Sequence, residues 1–347
     1  MHLNYTATMR FLNRTILLLA AACCSCSFIR VPLSPVDYSS LQPPRFRADS
    51  PWYQAIPADP PIDPASEAII ARMAAEFSDR LVMVAEEGSV AYYESRSDDL
   101  RVSIPLLSRG SLRRGIGNVP FPSYALPDPA DDGHLVVWDG EKLYEFWNLR
   151  LLRSRWVAGT AAIIAADSDG VHHKNFSVRA SGISLLAGMV WPQELEAGLI
   201  EHALVFGYPH SMKGYHVEPA TRTDGYSEEM YSLPMGARVQ LDPELDLNDP
   251  DLGLNQVEIT IARALQTYGM ILADTGSPGS IIELEAMNPS AYSSNPYRQL
   301  AGYDEEYGSF NLSRIPVSRF RVLELGPLIE DGSGFNQTEV EFAEYYY

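Results

Sequence analysis

Six residues carry most of the chemistry that the sequence offers, and two of them share one hairpin. In His134-Leu-Val-Val-Trp138-Asp139-Gly140-Glu141-Lys-Leu143-Tyr-Glu145-Phe-Trp147, Asp-Gly between two apolar runs is a two-residue turn signal. With Asp139 and Gly140 as the loop, His134 pairs with Glu145; with Gly140 and Glu141 as the loop, Glu145 pairs with Val136. Side chains alternate with period two, so His134 and Glu145 share a face in either register. A histidine beside a carboxylate is either a base with its orienting partner or a polar pair that finishes a strand end.

Three further segments supply the other candidates. Leu199-Ile-Glu-His202-Ala-Leu-Val-Phe206 alternates so that His202 shares a face with Ile200, Leu204 and Phe206, the face of a core or of a cleft. In Ala237-Arg238-Val-Gln240-Leu, Arg238 takes the polar face, where a guanidinium grips a carboxylate through two parallel bonds or stays solvated. Tyr268-Gly-Met-Ile-Leu-Ala-Asp274-Thr-Gly-Ser277 places Asp274 at a strand end, where loops that carry function begin.

Two reaction schemes use these groups. In a polysaccharide lyase, Arg238 neutralises a uronate carboxylate, His202 or His134 removes the C5 proton, and Tyr268 protonates the leaving oxygen. In a glycoside hydrolase, Glu145 and Asp274 are the paired carboxylates, and their separation sets retention or inversion. A non-catalytic alternative uses the 19 Tyr and 5 Trp as a surface that binds glycan or protein.

No metal or cofactor is expected. Asp242-Pro-Glu244-Leu-Asp246-Leu-Asn-Asp249-Pro-Asp251 has oxygen ligands, but its prolines and spacing depart from an EF-hand loop. In Asp167-Ser-Asp169-Gly-Val-His172-His173, adjacent histidines on a strand point opposite ways.

The elements that must position these groups are mostly strands. Gly, Pro and Asp turns separate runs at Leu81–Val84, Val90–Tyr93, Arg101–Leu106, His134–Asp139, Leu143–Trp147, Ala161–Ala166, Leu199–Phe206, Ala237–Leu241 and Met270–Asp274. Apolar residues at helical spacing predict one helix behind Asp63-Pro-Ala-Ser66, through Ile69, Ile70, Met73, Ala74 and Phe77. They predict another from Val257 to Tyr268, closed by Gly269. The expected fold is therefore mainly β, a β-sandwich or jelly-roll-like single domain with one or two short packing helices.

The start of the chain reads as an export signal. Arg10 and Arg14 precede the apolar run Ile16–Ala22, too short to span a bilayer and right for a signal-peptide core. Cys23, Cys24 and Cys26 follow small residues as in a lipobox, which makes Cys23 the expected lipidation site and Cys24 the second choice. Residues 1–26 are the expected signal peptide, 27–50 a Pro-rich linker and 51–347 the globular domain. With no cysteine after residue 26, that domain has no disulfide and no thiol nucleophile. The expected address is outside the cytoplasm, lipid-anchored to the cell envelope or secreted.

A net charge of −19, from 45 acidic and 26 basic residues, opposes nucleic acid as a partner. A glycan remains as the expected partner, with the membrane reached only through the lipid.

In order along residues 49 to 325, the sequence shows Pro51-Trp52, Asp63-Pro-Ala-Ser66, Asp132-Gly-His134-Leu-Val-Val, Leu143-Tyr-Glu145, His202-Ala-Leu-Val-Phe206, Leu233-Pro-Met-Gly236 and Ala264-Leu-Gln-Thr-Tyr268-Gly-Met-Ile-Leu-Ala-Asp274-Thr-Gly-Ser277. This series resembles a family of secreted bacterial proteins that has no established activity. Where that family carries Gly-Trp-Thr-Ser-Ala-Asp, this chain has Asn175-Phe-Ser-Val-Arg179-Ala180. The resemblance thus implies an acid that is lost or replaced here.

Overall fold

Alternating apolar residues build most of this protein into strands, and the computed structural model describes residues 38, 41, 43–108, 111–173, 177–276 and 281–332. The leader with Cys23, Cys24 and Cys26, residues 174–176 and Ser277 lie outside the described residues. The described residues belong to one unit, Pro35–Tyr347.

In chain order the strands are β1 Leu81–Val84, β2 Val90–Glu94, β3 Arg101–Ser108, β4 Ser111–Pro120, β5 Leu135–Trp138, β6 Lys142–Trp147, β7 Arg150–Leu152, β8 Arg155–Val157, β9 Thr160–Ala165, β10 Leu204–Gly207, β11 Ser211–His216, β12 Leu233–Met235, β13 Arg238–Leu241, β14 Met270–Asp274, β15 Ile282–Glu285, β16 Met287–Asn288, β17 Tyr303–Asp304, β18 Ser309–Asn311, β19 Phe320–Val322 and β20 Ile329–Glu330. The helices are α1 Ser66–Phe77, α2 Pro192–Ala197 and α3 Gln256–Thr267. Twenty strands against three short helices among the described residues make the protein mainly β, as the alternation predicts.

The strands stack in layers. Eight of them form a mixed sheet in the order β17-β18-β1-β15-β10-β14-β13-β19, and five form a second sheet, β16-β2-β5-β6-β9. Val205, Ile271 and Ala273 of the first sheet and Val90, Tyr92, Val136 and Leu143 of the second share one core between them. The opposite face of the large sheet is covered by α1 and α3, through Ile69, Met73, Phe77, Ile261 and Leu265 against Phe206, Leu272 and Leu284. The opposite face of the smaller sheet packs Tyr144 and Phe146 against Ile104 and Ile116 of the β3–β4 hairpin. Each fully buried aliphatic or aromatic side chain contributes about 1.5–3 kcal/mol.

Both predicted helices form. Asn255 caps α3 by accepting the Val257 and Glu258 amides at 2.9 and 3.0 Å, and Glu258 returns a bond to the Asn255 amide at 2.8 Å. Gly269 ends the helix at φ 70°, where a Cβ would meet the Val239 carbonyl at 2.6 Å.

The structure selects one of the two hairpin registers and shifts one further expectation. The β5–β6 register is Val136 with Glu145 and Trp138 with Leu143, so the loop is Gly140-Glu141. The cause is Asp139, whose carboxylate accepts the Glu141 and Lys142 amides at 3.1 and 2.8 Å and so begins the turn instead of forming its tip. β10 starts only at Leu204, so His202 precedes the strand and does not share the face of Leu204 and Phe206. Its Nδ1 donates to the Ala203 carbonyl at 3.0 Å and its Nε2 meets Glu194 at 3.1 Å, which turns the ring away from the α1–α3 core.

Candidate acidic active-site recess

Three adjacent strands of the large sheet build the floor of this site. β10 lies between β14 and β15, and Gly207 pairs with Asp274 on one side and Glu283 on the other. Next to them Phe206 pairs with Leu272 and Leu284, all buried in the α1–α3 core, and a bulge on β14 makes the step from Leu272 to Asp274 two residues long. Alternation therefore sends Glu283 and Glu285 to the opposite face, while Ile282 and Leu284 stay in the core. Gly207 itself is buried. A Cβ there would stand 3.9 Å from the Glu283 Cβ and 4.0 Å from the Asp274 carbonyl. Asp274 and Glu283 flank Gly207 on its two neighbouring strands, whose backbones stand about 10 Å apart at two strand spacings.

The chain then leaves the large sheet for the smaller one, since β16 follows β15 and pairs with β2. Glu283 and Glu285 consequently point toward the beginnings of β2 and β5. Glu285 is ion-paired with Arg179, whose side chain is fully buried. Arg179 also donates to the Ser184 carbonyl at 2.8 Å and the Leu185 carbonyl at 3.4 Å.

Glu145 holds those same two residues from the other side. It accepts the Ser184 hydroxyl, the Leu185 amide at 3.1 Å and His172 Nε2 at 3.1 Å, and it is 0% exposed. All of its bonds go to protein, so Glu145 positions Arg179 and does not open into the recess. His172, and not His134, is its partner. His134, half-buried, lies within electrostatic reach of Glu285, Asp132, Arg179 and Asp128.

Asp224 stands beside Asp274. Thr275 ties the two together: its amide donates to Asp274 at 2.8 Å, its hydroxyl hydrogen-bonds to Asp224, and Ser211 holds that hydroxyl at 2.5 Å. Oδ1 of Asp224 is buried and, among the described residues, accepts no hydrogen bond.

Burial and like charge set the protonation of this group. Burial first, and then the Asp224 charge, push the Asp274 carboxyl well above the usual carboxylate range, against the pull of Arg179. Burial also raises Asp224, opposed by the Thr275 bond. Burial, followed by Glu285, Asp132 and Asp128, lifts Glu283 to about 8. His134 is lowered by burial, against the pull of Glu285 and Asp132. At neutral pH the recess thus holds a protonated Glu283, an ion-paired Glu285, and two neighbouring aspartates that cannot both ionise cheaply.

Two aromatic side chains stand at its edges. Trp147, 37% exposed, donates to Asp132 at 2.8 Å, and Tyr226, 42% exposed, donates to the Gly276 carbonyl at 3.2 Å.

The structure brings His134 and Asp274 to this recess, with Glu145 behind it, and places the other three candidates elsewhere. His202 lies five residues from Gly207, about 16 Å along extended chain, in a separate pocket with Trp52, Trp191 and Glu194. Arg238 donates to the carbonyls of Tyr268 at 2.8 Å and Gln54 at 2.7 Å, at the far end of β14. Tyr268 is the C-cap of α3 and packs into the inter-sheet core. Arg238 touches Tyr268 through that carbonyl bond and the Leu204 amide donates to the Gly269 carbonyl at 3.0 Å, so these residues gather at the end of β10 and β14 opposite Asp274, with the Arg238 guanidinium spent on backbone carbonyls.

Sequence reasoning missed Glu283, Glu285, Asp224 and Arg179. The first two had a readable signal, the strict alternation Ile282-Glu283-Leu284-Glu285. Arg179 and Asp224 lie in irregular segments without periodicity.

Among the described residues no group of three or more His, Cys, Asp or Glu is arranged to hold a metal ion, and no helix is long and apolar enough to cross a membrane. The Asp242–Asp251 acids cap their own turns, with Asp242, Asp246 and Asp249 each accepting the amide two residues on at 2.9 Å. In comparisons with known proteins, the chain matches no family model, no curated protein and no solved structure.

Proposed function

We propose that this is an exported, lipid-anchored glycoside hydrolase whose working groups are Glu283, Asp274 and Asp224. The observation that carries the reading is the bare backbone of Gly207 between Asp274 and Glu283. The scheme places a sugar ring and a water between these two carboxyls.

Glu283, protonated at neutral pH, donates its proton to the leaving glycosidic oxygen. The Asp224–Asp274 pair, carrying one proton and one negative charge, takes a proton from the water that attacks the anomeric carbon from the opposite side. The glycosidic bond breaks and the water oxygen joins the anomeric carbon, which leaves Glu283 ionised and the aspartate pair with one extra proton; exchange with solvent restores both. The scheme is of the inverting kind, in which a water stands between the acid and the base. Glu285, held by Arg179, supplies the negative charge that favours an oxocarbenium-like transition state. Trp147 and Tyr226 offer flat apolar faces for sugar rings on either side.

The export part rests on the charged, apolar leader and on a body free of cysteine.

One observation favours a second reading. Two neighbouring aspartates that share a proton also activate water against a peptide carbonyl. Incubating the full chain with a panel of neutral and acidic glycans, and with an unfolded protein at acid pH, separates the two. New reducing ends that disappear in Glu283→Gln support the hydrolase. Unsaturated uronate ends, or peptide cleavage that survives Glu283→Gln, would overturn it.

A further inference from the structure

A second site lies on the far side of the smaller sheet, with the opposite charge. A groove of about 720 Å³ runs between the outer face of that sheet and the β3–β4 hairpin. Its lining includes Arg113, Arg114, Lys142 and Arg155, all exposed, and contains no carboxylate. In a chain of net charge −19, four cations gathered without a lining acid are a strong local reversal of the field.

The backbone is shaped to produce it. Consecutive residues on a regular strand point to opposite faces, so Arg113 and Arg114 would normally be divided between two sides. Here Ile104 pairs with Ile116 and Leu106 with Arg113, so two steps on β3 face three on β4. The extra residue is a β-bulge, which re-aims the side chains beside it and lets both arginines line one groove. A second bulge follows, between the Val102–Val119 and Ile104–Ile116 pairs. Gly115 allows the fold, because a Cβ there would meet the Ile104 carbonyl at 1.9 Å. Lys142 and Arg155 reach the same groove from β6 and from the β7–β8 hairpin.

We propose that this groove binds a segment of anionic polysaccharide, one bearing carboxylate or sulfate groups, and so holds the protein on an acidic glycan independently of the recess. Arginine forks match carboxylate and sulfate oxygens through paired hydrogen bonds. Among the apolar lining residues Ile163 is half-buried and offers a wall that suits the C–H face of a sugar ring, whereas a bare inorganic anion would gain nothing from it. A flat bilayer does not reach into a groove, and a nucleic-acid duplex would bring its dense charge against an acidic protein.

The test is calorimetric titration of the full chain with a polygalacturonate oligomer and with a neutral glucan oligomer of equal length, in parent and Glu283→Gln backgrounds. The triple variant Arg113→Gln, Arg114→Gln, Arg155→Gln is expected to bind the uronate oligomer at least tenfold more weakly. Its slope of log K against log salt should fall by about two to three, one unit for each cation removed. Lys142→Gln alone should weaken binding severalfold, and it keeps the test valid should the triple variant unfold. Uronate affinity unchanged in both variants overturns the proposal. So does a parent protein that binds neutral oligomer equally well, or one that prefers phosphatidylglycerol vesicles or single-stranded DNA. None of these outcomes depends on whether the recess hydrolyses anything.

Discussion

Glu145 and Arg179 grip the same dipeptide from opposite sides: Ser184 and Leu185 give their hydroxyl and amide hydrogens to Glu145 and their carbonyls to Arg179. Removing the carboxylate would leave the Ser184 hydroxyl, the Leu185 amide and His172 Nε2 buried without an acceptor. Glu145→Ala should therefore destabilise the protein by about 4 kcal/mol, read as a shift in urea midpoint. Glu145→Gln, which keeps one accepting oxygen, should cost about 1–2 kcal/mol. If Glu145 only positions Arg179, Glu145→Gln retains more than about a tenth of kcat, whereas a catalytic carboxylate loses about a hundredfold or more on this change.

The Glu283 carboxyl gives a pH dependence of definite sign. Its proton affinity is raised from the ordinary 4.5 to about 8 in the folded state. Between those values the folded protein keeps a proton that the unfolded chain has released, so this group makes stability fall as pH climbs through that window. Turnover needs the same proton and should decline above pH 8. Glu283→Gln should flatten that part of the stability curve and reduce kcat at least a hundredfold. Denaturant titrations at a series of pH values, set beside a kcat profile, check both. A stability curve of unchanged slope would show that Glu283 ionises normally.

Arg238 separates the lyase scheme from the observed geometry. Burial pulls its guanidinium down to about 10, so it remains charged at neutral pH, and it bonds the carbonyls of Tyr268 and Gln54. Arg238→Leu should cost about 2–4 kcal/mol of stability, because two bonds from a charged donor are lost. KM and kcat on any glycan substrate should stay within twofold of the parent. A large rise in KM confined to uronate substrates would restore Arg238 as a carboxylate clamp.

Strands and helices were legible where the periodicity was clean. β1 and β14 match their predicted spans, and α3 ends at Gly269 as its apolar stripe requires. β4 was not legible, because Arg113-Arg114-Gly115-Ile-Gly117-Asn118 carries two bulges that break the alternation on which strand reading depends. The site was legible only in part. Asp274 could be placed at a strand end, but its neighbours come from β15, from the loop before Gly225 and from Arg179, all brought in by tertiary pairing. His134 precedes β5, and Glu145 pairs with Val136. His172, far along the chain, takes the Glu145 carboxylate, and local periodicity carries no information about such a competitor.

The sharpest test of the recess is Gly207. Its backbone φ lies outside the left-handed region, and an added Cβ would meet its nearest neighbours at 3.9 and 4.0 Å, ordinary contact distances. Gly207→Ala should therefore fold with a Tm within a few degrees of the parent, for lack of either strain or overlap. Gly207→Val places a branched side chain between Asp274 and Glu283, where the proposed scheme needs a sugar ring and a water. Turnover should then fall at least tenfold while Tm, followed by circular dichroism, moves little, since valine suits a strand. Equal loss of stability and activity would mean that the gap is a packing feature. Full activity in Gly207→Val would mean that the substrate does not enter between the two acids.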